Sequence, residues 1–381
     1  MAEYDVAIAG GGPAGCSAAI RLARSGARVI LLEGRTYPHD KVCGEFLSPE
    51  CAPALDALGM TETLAALGPM PIDSVRITAP DGATRQMRLP GVGLGISRGA
   101  LDEALAGRAH RAGAEVREGT RVTGIVGNLR EGFHLALQTA SGRSRVQART
   151  VIAAHGRRGS LDRALKRRFL DRRQPFVALK NHYHGPPPYR RIDLHVFPGG
   201  YCGISGIEGG VANVCLLARE SVFRGSSVAT FLERIQEQNP RLRDWLSRAQ
   251  PVRERWLSTA QVPFIRKGPV AGDILMAGDS AGVIVPLAGD GIAMALRSGA
   301  LAAARTAEFL GGKLSAEQLR RRYAGDWRRE FASRMRLARG LQVLMLRPWL
   351  LSLGMRLAAV VPSLGGYLVT RTRGGRQEGM P

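Results

Sequence analysis

Four consecutive apolar residues, Val6 to Ala9, run into the glycine turn Gly10-Gly11-Gly12-Pro13-Ala14-Gly15, and a small-residue helix, Cys16 to Ala23, follows. A second apolar run, Ala27 to Leu32, ends on Glu33. Short continuous apolar runs bounded by glycine read as strands buried on both faces, so the opening predicts a parallel βαβ unit. Ser48 and Pro49 have the chemistry of a helix cap and first turn leading into Cys51 to Leu58. Residues 73 to 79 and 84 to 89 alternate around Asp81-Gly82 and predict a hairpin.

Ile96-Ser97-Arg98 then leads into an amphipathic helix over Ala100 to Ala112. Strands follow near Glu115 and at Arg121 to Val126, then a hairpin at 133–139 and 143–149, and the separate apolar segment Val151 to Ala154. From about 174 to 265 the pattern is strand-rich: Phe176 to Lys180, Ile192 to Phe197, Gly200 to Ile207 and Val211 to Leu217, with one helix over 227–248. The opening pattern then returns. Gly272 to Ala277 reads as a strand ending on Gly278-Asp279, and Gly289-Asp290-Gly291-Ile292 opens a helix to about Phe309.

The turn carries chemistry. In a βαβ unit Gly10 makes the tight turn, Gly12 lets backbone approach a pyrophosphate, and Gly15 lets helix and strand pack closely. Pro13 and Ala14 lie in the turn that leads into this helix, whose free N–H groups and positive dipole end face the phosphates. Glu33 lies 18 residues after Gly15, where a carboxylate accepts the two hydroxyls of an adenosine ribose. A carboxylate there repels a 2′-phosphate, so the site is expected to take FAD or NAD rather than NADP.

Composition changes the picture in two places. The five cysteines, Cys16, Cys43, Cys51, Cys202 and Cys215, lack metal-binding spacing, and no signal peptide precedes the first strand, which predicts a reducing cytoplasm. The formal charge of +22 is large, but the arginines and lysines are scattered without a recognition motif, so nucleic acid is not an expected partner. Near the C-terminus, residues 331–373 mix apolar side chains with arginines from Arg334 to Arg373. The charge-free stretch Leu357 to Thr370 is 14 residues long, against the roughly 20 that a spanning helix needs. This segment reads as a basic amphipathic surface for peripheral contact with the inner face of a membrane, or as a helical lid packed on the insert.

GGGPAG, LMAGDSAG with its PLAGDGI continuation, and the strand-rich insert together resemble the p-hydroxybenzoate hydroxylase-type FAD-dependent oxidoreductases. KVCGEFLSPE and GISRGALDEAL look most like the geranylgeranyl reductase branch. The resemblance implies an α/β protein with a Rossmann-type FAD-binding domain over 1–75, 95–172 and 266–312. It implies an inserted α+β, mostly antiparallel substrate domain over 76–94 and 173–265, and a C-terminal helical segment over 313–381. FAD is the implied cofactor and NAD(P)H a candidate electron donor. Asp279, after Gly278, would hold the ribityl chain, and Arg98 would support the cofactor. Gly34, Arg35, Cys43, Gly44 and Val122 would border it. Gly289, Gly291 and Ile292 would bring backbone and a helix dipole to the isoalloxazine ring.

Two segments depart from the pattern. Ala154-His155-Gly156 stands where the hydroxylases read Ala-Asp-Gly, in the loop tied to FAD and nicotinamide access. The reductase branch carries Tyr-x-Trp-x-Phe-Pro beside its substrate, and Tyr201-Cys202-Gly203-Ile204-Ser205 keeps the tyrosine alone. Cys43 is the candidate proton donor, with Lys41 nearby to make its setting electropositive. Tyr201 is a second candidate that lines the substrate cavity. Glu45, a loop carboxylate, is read either as a contact to substrate or cofactor or as a surface residue, and the surface is the expectation. His182, His184 and His195 lack a third ligand, so no metal is expected. The expected substrate is a hydrophobic small molecule such as a polyketide, quinone or isoprenoid. Loss of the aromatic strand puts hydroxylation through a flavin peroxide ahead of double-bond reduction. A non-catalytic basic flavoprotein that binds lipid or nucleic acid is the third reading.

Overall fold

The computed structural model describes residues 2–286 and 289–347. Its opening unit is β1 (Tyr4–Ala9), α1 (Pro13–Arg24) and β2 (Val29–Leu32), with Ile8 opposite Leu31 in parallel register. A hairpin follows, β3 (Met70–Thr78) and β4 (Thr84–Gly95), and then α2 (Arg98–Arg111). Ser97 caps α2 by accepting from Ala100 N at 3.1 Å, which satisfies one of its orphan donors. Strands Glu115–Arg117 and Arg121–Asn128 follow, then β5 (Gly132–Thr139) and β6 (Gly142–Ala153). The insert supplies β7 (Phe176–His184), β8 (Arg191–Phe197), β9 (Gly200–Gly206) and β10 (Ala212–Arg219). The chain returns through β11 (Ile274–Met276) to α3 (Gly291–Leu310) and α4 (Ala316–Met345).

Two sheets result. The first runs Val270–Ala271, β11, β6, β1, β2, Glu115–Arg117, with the central strands parallel. The order of its parallel strands puts the glycine turn at the carboxyl end of β1, where open α/β sheets bind ligands. The second runs Gln250–Pro251, β7, β10, β9, β8, β3, β4, Phe46–Leu47, antiparallel except where β8 meets β3. The hairpin thus gives the second sheet strand residues from 70 to 95.

Glycines set the closest approaches. A Cβ on Gly299 of α3 would sit 2.2 Å from Ala14 O, so α1 and α3 pack backbone to backbone, and Ser17 Oγ donates to Leu296 O at 2.8 Å. α4 lays a stripe of Leu319, Tyr323, Trp327, Phe331 and Met335 into the main core, four residues apart as a helix face requires. Tyr323 Oη donates to Met276 O at 2.6 Å, fastening this stripe to the first sheet's side.

Three local expectations are corrected. Residues 142–153 form one strand, because the hairpin arm passes without a break into the parallel position beside β1. The helix over 227–248 is two helices, Val228–Gln238 and Pro240–Leu246. Pro240 excludes helical geometry at the preceding residue, and Asn239 is extended at φ −143°. Ser48 does not cap the next helix, which begins at Cys51 behind Glu50, and Ser48 Oγ turns to Asp290 at 3.5 Å. Within the C-terminal segment, α4 packs its apolar stripe into the main core, and Arg339 donates to Phe264 O of the insert at 2.8 Å. The rest of the C-terminal segment, with Leu357 to Thr370, lies outside the described residues. Among the described residues no helix is long and apolar enough to cross a membrane.

Candidate functional site

Between the two sheets lies a cavity of about 970 Å³. Every expected site residue lines it except Gly15, whose work is inside the turn. At Gly10, φ is +111°, a conformation L side chains rarely adopt, and a Cβ there would lie 2.4 Å from Ala154 O. A Cβ on Gly15 would lie 1.9 Å from Gly10 O. The fold itself therefore requires both glycines. Gly12 differs: its φ of −81° and ψ of −175° suit any residue, and a Cβ would meet nothing nearer than Arg98 Nη2 at 3.5 Å and Lys41 Nζ at 3.8 Å. The space before Gly12 is open and faced by two cations, which is the setting of a pyrophosphate cradle.

Glu33 is buried at the end of β2. Its Oε2 accepts from Gly11 N at 2.8 Å and its Oε1 from Arg35 N at 3.2 Å, which leaves lone pairs on both oxygens for ribose hydroxyls. Gly34, Arg35 and Val122 border the same end of the cavity. Tyr37 Oη donates to Gly11 O at 2.6 Å and holds the turn from behind.

Arg98 and Lys41 share one buried partner. Asp102 accepts from Arg98 Nη2 at 2.6 Å and from Lys41 Nζ at 3.0 Å. Burial opposes the charge on both Arg98 and Asp102, yet their mutual attraction prevails: Arg98 is held above and Asp102 below its ordinary value. Lys41 Nζ is thereby anchored beside the Gly12 turn. The Arg98–Asp102 spacing of four in a helix was a readable signal for this pair.

Asp279 lies on the far side and does not cap the turn it occupies, whose N-cap is Ala277. Among the described residues none donates a hydrogen bond to its carboxylate, which faces the cavity. Lys267 lies near enough to feel it; burial pushes this ammonium down to about 8 while Asp162 and Asp279 oppose the shift. Lys267 Nζ donates to Gly156 O at 3.2 Å and Arg157 O at 2.8 Å, fixing the loop in which His155 stands 3.1 Å from Asp162. Gly278, Gly289, Gly291 and Ile292 complete this wall, with Gly289 at φ +64°. An open cradle before Gly12 and, among the described residues, an acceptor without a donor at Asp279 fit a dinucleotide flavin.

Cys43 and Gly44 lie where the cavity meets the second sheet. The Cys43 sulfur accepts from Glu45 N at 3.4 Å and lies beside the Arg98 guanidinium. Glu45 overturns its expectation: it is wholly buried. It is held in the left-handed region at φ +53° by partners distant in sequence. Its Oε1 accepts from Arg98 N at 2.7 Å and from Lys180 Nζ at 2.5 Å, and its Oε2 lies 2.7 Å from His182 Nε2. Lys180, 1% exposed, also donates to Asp40 Oδ1 at 3.2 Å. Asp40, Glu45 and His182 approach as metal ligands would, a grouping that spacing concealed, but the Lys180 ammonium already sits on both carboxylates as their cation. His195 lies apart in the second sheet, where burial pushes it down to about 4 and keeps the ring neutral. His184 is exposed.

The remaining wall is largely apolar, with Arg85, Ser205 and Arg157 among its polar members. Val75, Ile77, Leu89, Ile192, Leu194 and Leu217 of the second sheet line it, with Tyr201, Phe264 and the α4 residues Leu341 and Met345. A parallel α/β sheet whose glycine turn opens on a cavity walled by a second sheet is the frame of a flavin-dependent oxidoreductase.

Comparison with known proteins specifies the class. The FAD binding domain family matches residues 3–178. The chain is 30% identical to the digeranylgeranylglycerophospholipid reductase of Methanosarcina mazei, covering 86% of this chain and 81% of that one. It is 28% identical to the menaquinone reductase of Mycobacterium tuberculosis, covering 78% and 75%. In fold it is similar to a geranylgeranyl bacteriochlorophyll reductase-like protein of Thermoplasma acidophilum, with TM-score 0.76, 21% identity and coverage of 97% and 92%. A flavin-dependent brominase is as close in shape, with TM-score 0.78, 18% identity and coverage of 96% and 93%. The chain belongs to the p-hydroxybenzoate hydroxylase-type FAD-dependent oxidoreductases; it is an enzyme, and FAD is its cofactor.

Proposed function

We propose that the enzyme reduces carbon–carbon double bonds in a hydrophobic, isoprenoid-like substrate. The observation that carries this reading is the continuity of the cavity from the Cys43 loop to the aliphatic wall of the second sheet. Such a wall binds an alkyl chain by removing it from water, about 0.8 kcal/mol for each buried CH₂. The names of the two relatives, a digeranylgeranylglycerophospholipid reductase and a menaquinone reductase, support it further.

In this reading Gly12, Pro13, Ala14, Arg98 and Lys41 bind the pyrophosphate, Glu33 the adenosine ribose, and Asp279 the ribityl chain. Bound FAD supplies hydride chemistry. Cys43 supplies the proton that completes reduction: its sulfur accepts from a backbone N–H and lies beside a guanidinium, and the two stabilise the negative charge left on it. Tyr201, buried on the cavity wall, orients the substrate. The second sheet excludes water from the reacting carbon.

Oxygen-dependent hydroxylation is the second reading, favoured by Cys202, Gly203 and Ile204 where the reductase branch carries aromatic residues. Turnover of polyprenyl lipids and quinones with pre-reduced enzyme under strict anaerobiosis separates the two. Saturated product, two mass units heavier per reduced bond, is expected without oxygen. Product that forms in air alone and gains an oxygen atom contradicts the proposal.

A further inference from the structure

Glu45 has more to do than a loop carboxylate needs to. It is wholly buried, it occupies a backbone region that disfavours its side chain, and its two oxygens take three donors from two different parts of the chain. One donor is the backbone N–H of Arg98, at the start of α2 on the cofactor side. The others, Lys180 and His182, stand on β7 of the second sheet. Its own backbone N–H points to the Cys43 sulfur at 3.4 Å. Asn213 on β10 adds a bond to Cys43 O at 3.2 Å, so the short loop is held from the substrate side as well.

We propose that Glu45 is the positioning residue of this active site, setting the Cys43 thiol and the Arg98 end of α2 against each other and against the substrate sheet. The proposal rests on the reading of Cys43 as proton donor. An unanchored loop would let Glu45 N–H and the Arg98 guanidinium drift from the sulfur, and the charge that develops there would lose its two donors. Lys180 and His182 fix the carboxylate in the register of β7, so the thiol is placed relative to the wall that holds the substrate. Asp40, itself paired to Lys180 and to Arg253, keeps the cluster's charges matched from the exposed side. His182, facing Glu45 on one side and solvent on the other, is the cluster's outer member.

The test is the pH profile of Cys43 alkylation by iodoacetamide in flavin-loaded full-length protein, followed by peptide mass spectrometry. Cys16, Cys51 and Cys202, all buried, serve as unreactive internal controls. Thiolate is the reacting species, so the profile's midpoint reports the donors at the sulfur while its plateau reports access. In Glu45→Gln, whose amide cannot accept from both Lys180 and His182 without presenting an N–H to one of them, the midpoint is expected to rise by about one pH unit, roughly tenfold slower labelling below it. The plateau is expected not to fall. Loss of the Glu45 negative charge by itself would lower the midpoint, so a rise reports lost positioning, and an unchanged or lowered midpoint overturns the proposal. Should Glu45→Gln yield no holoenzyme, His182→Gln is read the same way, with at least about twofold slower labelling below the midpoint expected and an unchanged midpoint overturning it. Flavin content of the same samples separates the failures: wild-type protein without flavin defeats the cofactor assignment, whereas bound flavin with an unmoved midpoint defeats the role of Glu45 alone.

Discussion

Gly12→Val leaves the protein folded and strips it of FAD. The backbone at Gly12 is one that valine adopts without strain, and the nearest atoms to its Cβ are the mobile ends of Arg98 and Lys41 at 3.5 and 3.8 Å. Nothing in the protein therefore opposes the substitution. A pyrophosphate does, because the valine methyl groups occupy the path by which it reaches the α1 N-terminus and the two cations. The expected loss is at least about a hundredfold in FAD affinity, near 2.8 kcal/mol, with an unchanged circular dichroism spectrum. Gly15→Val is the contrast. Its Cβ would lie 1.9 Å from Gly10 O, so that variant loses the turn itself and is expected to be unstable. Equal FAD affinity in wild type and Gly12→Val would place the pyrophosphate elsewhere.

Lys180→Met is expected to be strongly destabilising. The ammonium is 1% exposed and sits at 2.5 Å from Glu45 and 3.2 Å from Asp40, so its removal leaves two carboxylates close together with one cation fewer. Breaking a buried pair from one side costs about 3–5 kcal/mol, because the remaining charge stays desolvated and unmatched. Urea unfolding of the flavin-free protein, followed by tryptophan fluorescence, measures it. The double variant Lys180→Met with Glu45→Gln is expected to recover part of the loss, since the two changes touch one network. A single variant within about 0.5 kcal/mol of wild type shows that the triad contributes nothing to stability.

The sequence made the nucleotide half readable because its signals are local. A glycine turn, the small helix after it and the acid at the end of the next strand lie within 29 residues, Asp5 to Glu33, and each residue's task is fixed by its neighbours. Gly278-Asp279 and Gly289 to Ile292 were readable for the same reason. What escaped was set by distant partners. Glu45 looks like a surface carboxylate until Lys180, 135 residues later, is brought onto it. Lys41 looks solvated until Asp102 is placed beneath it. The split at Asn239 was the exception, a local signal in Pro240 that the helical periodicity around it masked. The second sheet was legible as strands and not as a wall, since the parallel joining of β8 to β3 spans more than a hundred residues.

Everything in the account follows from FAD lying along this cavity, with its pyrophosphate at Gly12, its ribityl chain at Asp279 and its ring near Cys43 and Gly289. A crystal structure of the enzyme grown with FAD tests that placement directly. The account predicts flavin density spanning those positions, with the ring between the Cys43 loop and the start of α3 and its open face toward Ile77, Leu194 and Tyr201. Density for FAD outside this cavity, or a ring turned away from the second sheet and into solvent, would contradict it.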